Sequence, residues 1–169
     1  MLPTLMAAAG VPDVTEQLLK GMKIGDKTFK VHLDGYNITD TLAGKARSPR
    51  HEFFYWNDDG SLVALRYDNW KLVFQEQRAH GFDVWAEPFV PLRMPKLFNL
   101  RMDQFEEADH SSIDYQHWRI DRAFLFVPAQ QYIGKYISTF KEFPPSQKVG
   151  SFSLDQVLQK LSDAGTSSQ

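Results

Sequence analysis

The chain contains no cysteine. That excludes disulfides, thiolate metal ligands and a cysteine nucleophile. It also lacks a surplus of positive charge: 19 Lys and Arg stand against 21 Asp and Glu, a formal net charge of -2. Proteins that bind nucleic acid rely on a cationic surface to displace counterions from phosphates. No basic stripe interleaved with aromatics occurs here, so nucleic acid is not an expected partner. Long apolar runs are absent as well. The stretch at residues 2–9 is too short to span a bilayer and has no basic leader before it, so the chain reads as soluble, with no membrane span and no signal peptide of its own.

What the chain does have is apolar and aromatic side chains. Hydrophobic residues make up 43% and aromatics 14%, including 13 Phe, 4 Trp and 6 Tyr. Burying them offsets the entropy of ordering the backbone, and 169 residues suit one globular domain with a core.

Local patterning predicts the elements. Residues 3–9 read as a short alanine-rich helix opened by Pro3 and stopped by Gly10; the missing polar cap ahead of it suits the tail of a longer helix. Asp13 is placed to cap a second helix with Glu16 at its third position and Gly21 at its end. Gly25-Asp26 turns into an alternating run, residues 28–33, read as a strand. Residues 38–43 form a brief helix, and residues 45–50 a basic solvent-facing loop. The strongest pattern follows. Residues 53–56, 62–67 and 70–75 are aromatic and β-branched runs separated by Asp58-Asp59-Gly60 and Asp68-Asn69, the spacing of an antiparallel meander. Residues 80–95, with three prolines, read as an irregular loop, and residues 96–100 as a fourth strand. Residues 103–115 read as an acidic loop, with room for a turn of helix from Glu106 to His110. Apolar spacings of three and four from Trp118 to Phe140 predict a long helix kinked or divided at Pro128. Pro144-Pro145 stops it; Ser153 is placed to cap a last helix with Gln156 in its capping box, and residues 165–169 are expected to be a disordered tail. The fold class is therefore α+β, a four-stranded antiparallel sheet packed against carboxyl-terminal helices.

This order of segments resembles the carboxyl-terminal region of bacterial arylsulfatases. Pro3-Thr4-Leu5-Met6-Ala7-Ala8-Ala9-Gly10 is similar to the helix that follows that family's last catalytic motifs. Asp34-Gly35-Tyr36, with Leu42-Ala43-Gly44, resembles the lead into its carboxyl-terminal subdomain. Phe53-Phe54-Tyr55-Trp56, Asp58-Asp59-Gly60, Leu65-Arg66 and Trp70-Lys71-Leu72 match its hairpins. Lys96-Leu97-Phe98-Asn99-Leu100, with Asp103 and Glu106, resembles its strand and acidic turn, written Leu-Tyr-Asp-Leu, two residues, then Asp-Pro and Glu. The likeness extends through Phe140-Lys141-Glu142-Phe143-Pro144-Pro145. Gln104 replaces the usual proline and Asn99 the usual aspartate.

The resemblance implies a sulfuric ester hydrolase as parent, using formylglycine and calcium, in a periplasmic or secreted setting. None of that machinery transfers to a residue here. The formylglycine precursor, a cysteine or serine in a short Pro- and Arg-containing motif, has no counterpart: Ser48-Pro49-Arg50 has the wrong spacing. The calcium-binding aspartates and the Lys and His around the sulfate belong to the absent region, so this chain is expected to hold no catalytic residue, cofactor or metal.

The remaining polar clusters suit plain structural roles better than other chemistries. His32 and Asp34 are better read as a surface histidine and a turn aspartate, and Asp58-Asp59 as hairpin residues lacking the ligand alternation of a calcium loop. Asp103, Glu106, Glu107 and Asp109 are better read as a solvated acidic loop than as an acid-base pair, and His110 and His117 beside Ser111-Ser112 do not make a triad. Trp56, Trp70 and Trp85 suit a core or interdomain seam better than a sugar platform; Arg66 and Lys71 fall on a solvent face, near a substrate mouth if the family geometry applies. These five are the candidate ligand or interface residues.

The resulting reading is an accessory domain that covers a sulfatase catalytic domain and shapes its entrance, with residues 1–50 as an edge region packed on that domain and residues 51–164 as the subdomain. An isolated chain is expected to self-associate through an apolar patch. The alternatives are a self-contained module for glycans or sulfated ligands, using the tryptophans and the Arg47/Arg50 loop, and a weakly active hydrolase.

Overall fold

The computed structural model describes residues 1–145. The chain opens with two seven-residue helices, α1 (Leu2–Ala8) and α2 (Val14–Lys20). Asp13 does precede α2, but its carboxylate accepts a hydrogen bond from the Gln17 side chain (2.8 Å) and not from a helix-end N–H. A small hairpin follows, β1 (Met22–Ile24) with β2 (Lys27–Phe29). The strand expected over residues 28–33 therefore ends at Phe29. Its pairing partner is the short Met22–Ile24 run, and residues 30–37 cross the molecule without regular structure. After α3 (Thr39–Leu42) the chain enters the sheet.

That sheet has four antiparallel strands in sequence order: β3 (Glu52–Trp56), β4 (Leu62–Tyr67), β5 (Trp70–Glu76) and β6 (Val90–Asn99). Register explains why. Phe54, Leu65, Leu72 and Leu97 are successive cross-strand partners, one apolar row spanning all four strands. Leu65 and Leu97 are 1% and 0% exposed, each worth roughly 2–3 kcal/mol of transfer free energy. One pleat over, Phe53, Arg66, Lys71 and Phe98 form the row on the opposite face.

β6 is longer than the sequence pattern predicts. Residues 90–95 continue the strand outward despite Pro91 and Pro95, because β6 is an edge strand and a missing N–H costs nothing on the side that pairs with no neighbour. Only residues 81–85, a short 3-10 turn, remain of the expected loop's interior.

The apolar row is covered by helices. α4 (Ala108–Ser111) leads to α5 (Tyr115–Asp121), then a 3-10 turn at Ala123–Leu125, then α6 (Phe126–Ser138). Ala129, Phe126, Ile133, Leu125 and Trp118 pack on Leu65, Leu72 and Leu97. The helical stretch divides at Arg122, not at Pro128; Pro128 lies in the first turn of α6, where its absent N–H is unpaired in any helix. The α+β class, with a four-stranded antiparallel sheet on carboxyl-terminal helices, is as expected. The helix expected after Ser153 and the tail at residues 165–169 lie outside the described residues.

Tyr115 closes the outer edge of the sheet. Its phenol accepts from the Leu97 N–H (3.0 Å) and donates to the Leu97 carbonyl (3.1 Å), satisfying both groups that β6 turns away from β5. Burial pushes this phenol's pKa up. An edge sealed in this way cannot template another strand at that point.

Candidate functional site

Two hollows, of about 630 and 490 Å³, share one dividing wall: His32, Asp34, Trp56 and Tyr136 line both. Each volume is in the range of small-ligand pockets, roughly 300–1,000 Å³. Three parts of the fold build the wall. β3 ends in an irregularity between Tyr55 and Trp56, which turns Trp56 toward the carboxyl end of α6. There its ring meets Tyr136 (6.4 Å) and Phe140 (5.8 Å). Phe54 stacks on Tyr136 at 4.0 Å, fixing that ring in turn. The irregular segment 30–37 supplies the polar side, where His32 Nδ1 lies 3.2 Å from Asp34 Oδ1.

That segment is held at three points. Thr4, buried, donates to the Tyr36 carbonyl and accepts from the Ile38 N–H. The Tyr36 phenol donates to Glu52 on β3. Lys30 pairs with Glu142 at 2.6 Å and stands over the Phe143 ring. Burial first, and the Glu52 carboxylate second, raise the Tyr36 phenol well above the ordinary tyrosine value; burial and then Asp34 raise that of Tyr136. Both phenols stay protonated, and that of Tyr36 is a donor. Gly35 suits this route, since a Cβ there meets the Pro3 ring at a tight 3.2 Å.

His32 and Asp34, read from the sequence as separate surface residues, thus converge with Trp56. Their convergence had no local signal, because the three groups meet only through the path of residues 30–37. Asp58 and Asp59 do sit in the hairpin turn, and Gly60 has the left-handed φ of +74 that such a turn requires.

The other candidates lie elsewhere. No ring contact joins any two of Trp56, Trp70 and Trp85. Trp70 packs on Trp118 beside the core, whereas Trp85, in the 3-10 turn, is 82% exposed. Arg66 is exposed and donates to the Asp68 carbonyl (3.0 Å). Lys71, its cross-strand partner, is not a plain solvent-face residue: it is half-buried, contacts Glu106 at 2.7 Å and lies 4.8 Å from the Tyr55 ring centre.

The acidic loop is correspondingly less solvated than its composition implies. Asp103 accepts the backbone N–H groups of Glu107 and Ala108 at the start of α4. Asp109, 7% exposed at its side chain, pairs with Lys96 at 2.6 Å, and Lys96 reaches Glu76 at 2.7 Å. Burial alone depresses the Lys96 ammonium, but the bonds to Asp109 and Glu76 outweigh it and the net shift is upward. The Lys96 bond, then that from Arg78, holds Glu76 below the usual carboxylate range. Among the described residues no cluster of three or more His, Cys, Asp or Glu has metal-binding geometry, and no helix is long and apolar enough to cross a membrane.

No family model matches the chain, and no curated protein does. Among solved structures there is a weak, partial likeness to a bacterial sulfatase. It is the crystal structure of PsFucS1 sulfatase from Pseudoalteromonas sp., at a TM-score of 0.39 and 24% identity, over 61% of this chain and 20% of that one. The chain thus spans about a fifth of the length of that protein, and at this TM-score the likeness carries no argument.

Proposed function

We propose that this chain is an accessory domain that packs on a larger catalytic partner of the sulfuric ester hydrolase class its sequence resembles, supplying surface and entrance shape and no reacting group. Residues 1–50 run along the partner in this reading, and residues 51–164 form the subdomain.

The observation that carries it is the amount of apolar surface left uncovered. Among the described residues many large apolar side chains stand open to solvent, Ile113 at 98% and Phe105 at 84% exposure among them. The exposed side chains are large: Phe105, Ile113, Met102 and Leu42 belong to the set, as do Ile120 on α5, Phe124 in the 3-10 turn and Val127 on α6. The absence of cysteine, and of a serine in the nucleophile's pattern, supports a non-catalytic role.

Hydrolysis of an aryl sulfate by the purified chain, followed across a size-exclusion peak with and without calcium, is the test. The expected result is no activity, with hydrophobic-dye binding or self-association that Phe124→Lys and Val127→Lys reduce. Activity co-eluting with the protein, or a monodisperse monomer that binds no dye, overturns the proposal.

A further inference from the structure

We propose that the cleft divided by Trp56 and Tyr136 binds an uncharged saccharide, with a sugar ring against Trp56 and vicinal hydroxyls on Asp34, Asn57 and Asp58. This goes beyond the accessory role and does not depend on it.

The chemistry of the lining selects the ligand. Trp56 keeps 38% of its surface accessible although its ring is braced by Tyr136 and Phe140. A rigid aromatic surface open to solvent at the wall of a cavity suits the C–H face of a pyranose, which is apolar while its rim is polar. The rim needs groups that accept or exchange paired hydrogen bonds, and carboxylates and amides do so. Asp34, Asn57 and Asp58 line the larger hollow, with His32 bonded to Asp34 and so held in place.

Charge excludes the rival ligands. Across the two hollows the lining carries four carboxylates, Asp34, Glu52, Asp58 and Glu142, against two cations, Lys30 and Arg50. Lys30 is already paired with Glu142. A sulfated or phosphorylated ligand therefore meets net repulsion. An organic cation is disfavoured for a different reason: the Lys30 ammonium already stands 5.6 Å from the Phe143 ring centre, in the place a ligand cation would take. A wholly apolar ligand would strip water from the carboxylates without replacing their hydrogen bonds.

Titration of the full chain with maltotriose, cellotriose and galactose sulfate, read by calorimetry and by saturation-transfer NMR, tests the assignment. The expected result is a millimolar or tighter Kd for a neutral sugar and weaker binding of the sulfated one. Trp56→Ala should weaken binding by at least about tenfold and Trp56→Phe by less, while Trp85→Ala leaves it unchanged. If Trp56→Ala proves unfolded by circular dichroism, Asp34→Asn on an exposed side chain makes the same comparison. No binding of either neutral sugar, tighter binding of the sulfated one, or loss through Trp85→Ala and not through the cleft variants overturns it.

Discussion

Tyr115→Phe isolates the phenol that closes the sheet edge. The substitution keeps the ring that stacks on Phe98 and Trp118 and removes one oxygen. Two backbone groups of Leu97, a residue with no exposed surface, then lose their partner together. An unsatisfied buried polar group costs about 1–3 kcal/mol. The O–H···O leg at 3.1 Å is long for a hydroxyl donor. Part of the loss is also recovered, because Phe need not desolvate a hydroxyl. The expected net destabilisation is about 2–3 kcal/mol. With a urea m-value of roughly 1–3 kcal/mol/M, that moves the unfolding midpoint down by about 1–2 M. Equilibrium urea unfolding followed by circular dichroism reads it, and hydrogen exchange at the Leu97 amide should accelerate with it. Tyr67→Phe, at a half-exposed ring on β4, is the control and should stay within about 0.5 kcal/mol. A Tyr115→Phe effect no larger than the control's would refute the argument that this phenol satisfies the edge.

Three other outcomes follow from the geometry. In a double-mutant cycle, Lys71→Met and Glu106→Gln should show a coupling of about 1 kcal/mol, because their ion pair is mostly shielded from solvent; additive effects would mean that the pair is decorative. Gly35→Ala should destabilise by about 1 kcal/mol and raise protease sensitivity near α1, since the added Cβ meets the Pro3 ring at 3.2 Å and that ring must shift; unchanged stability would show that the residue 30–37 segment has slack. Stability should be flat between two pH limbs. Glu76, lowered in the folded state, contributes fully above its unfolded value of 4.5 and loses that contribution as pH falls through the folded value. Lys96 and Tyr115, both raised, contribute fully below 10.5 and 10.0 and lose it as pH rises through their folded values. Glu76→Gln should flatten the acid limb and Tyr115→Phe part of the alkaline one, as measured by melting temperature against pH.

The meander was legible because each strand has its own apolar alternation and each turn its own Asp, Asn or Gly; the pairings are between neighbours in sequence, so local pattern and global topology coincide. The outer half of β6 was not, because two prolines argue against a strand unless one already knows that it lies at an edge. Pro128 misled in the same way: a proline inside an apolar period marks a kink or a start, and only the break at Arg122 decides between them. At Lys71 the alternation correctly put the side chain on the face opposite the helices, but no alternation tells whether a loop covers that face. The cleft was least legible. Its wall joins residues 32, 34, 56 and 136, and their meeting depends on where an irregular segment crosses the sheet.

That segment acts mechanically as a tie bar. It is anchored to α1 through Thr4, to β3 through Glu52 and, by an exposed ion pair, to Glu142, which lies a few residues beyond α6. His32 and Asp34 lie between the Lys30 and Tyr36 anchors. The polar side of the cleft shares its Thr4 anchor with α1, so the seating of α1 and the placing of His32 and Asp34 are expected to depend on one another.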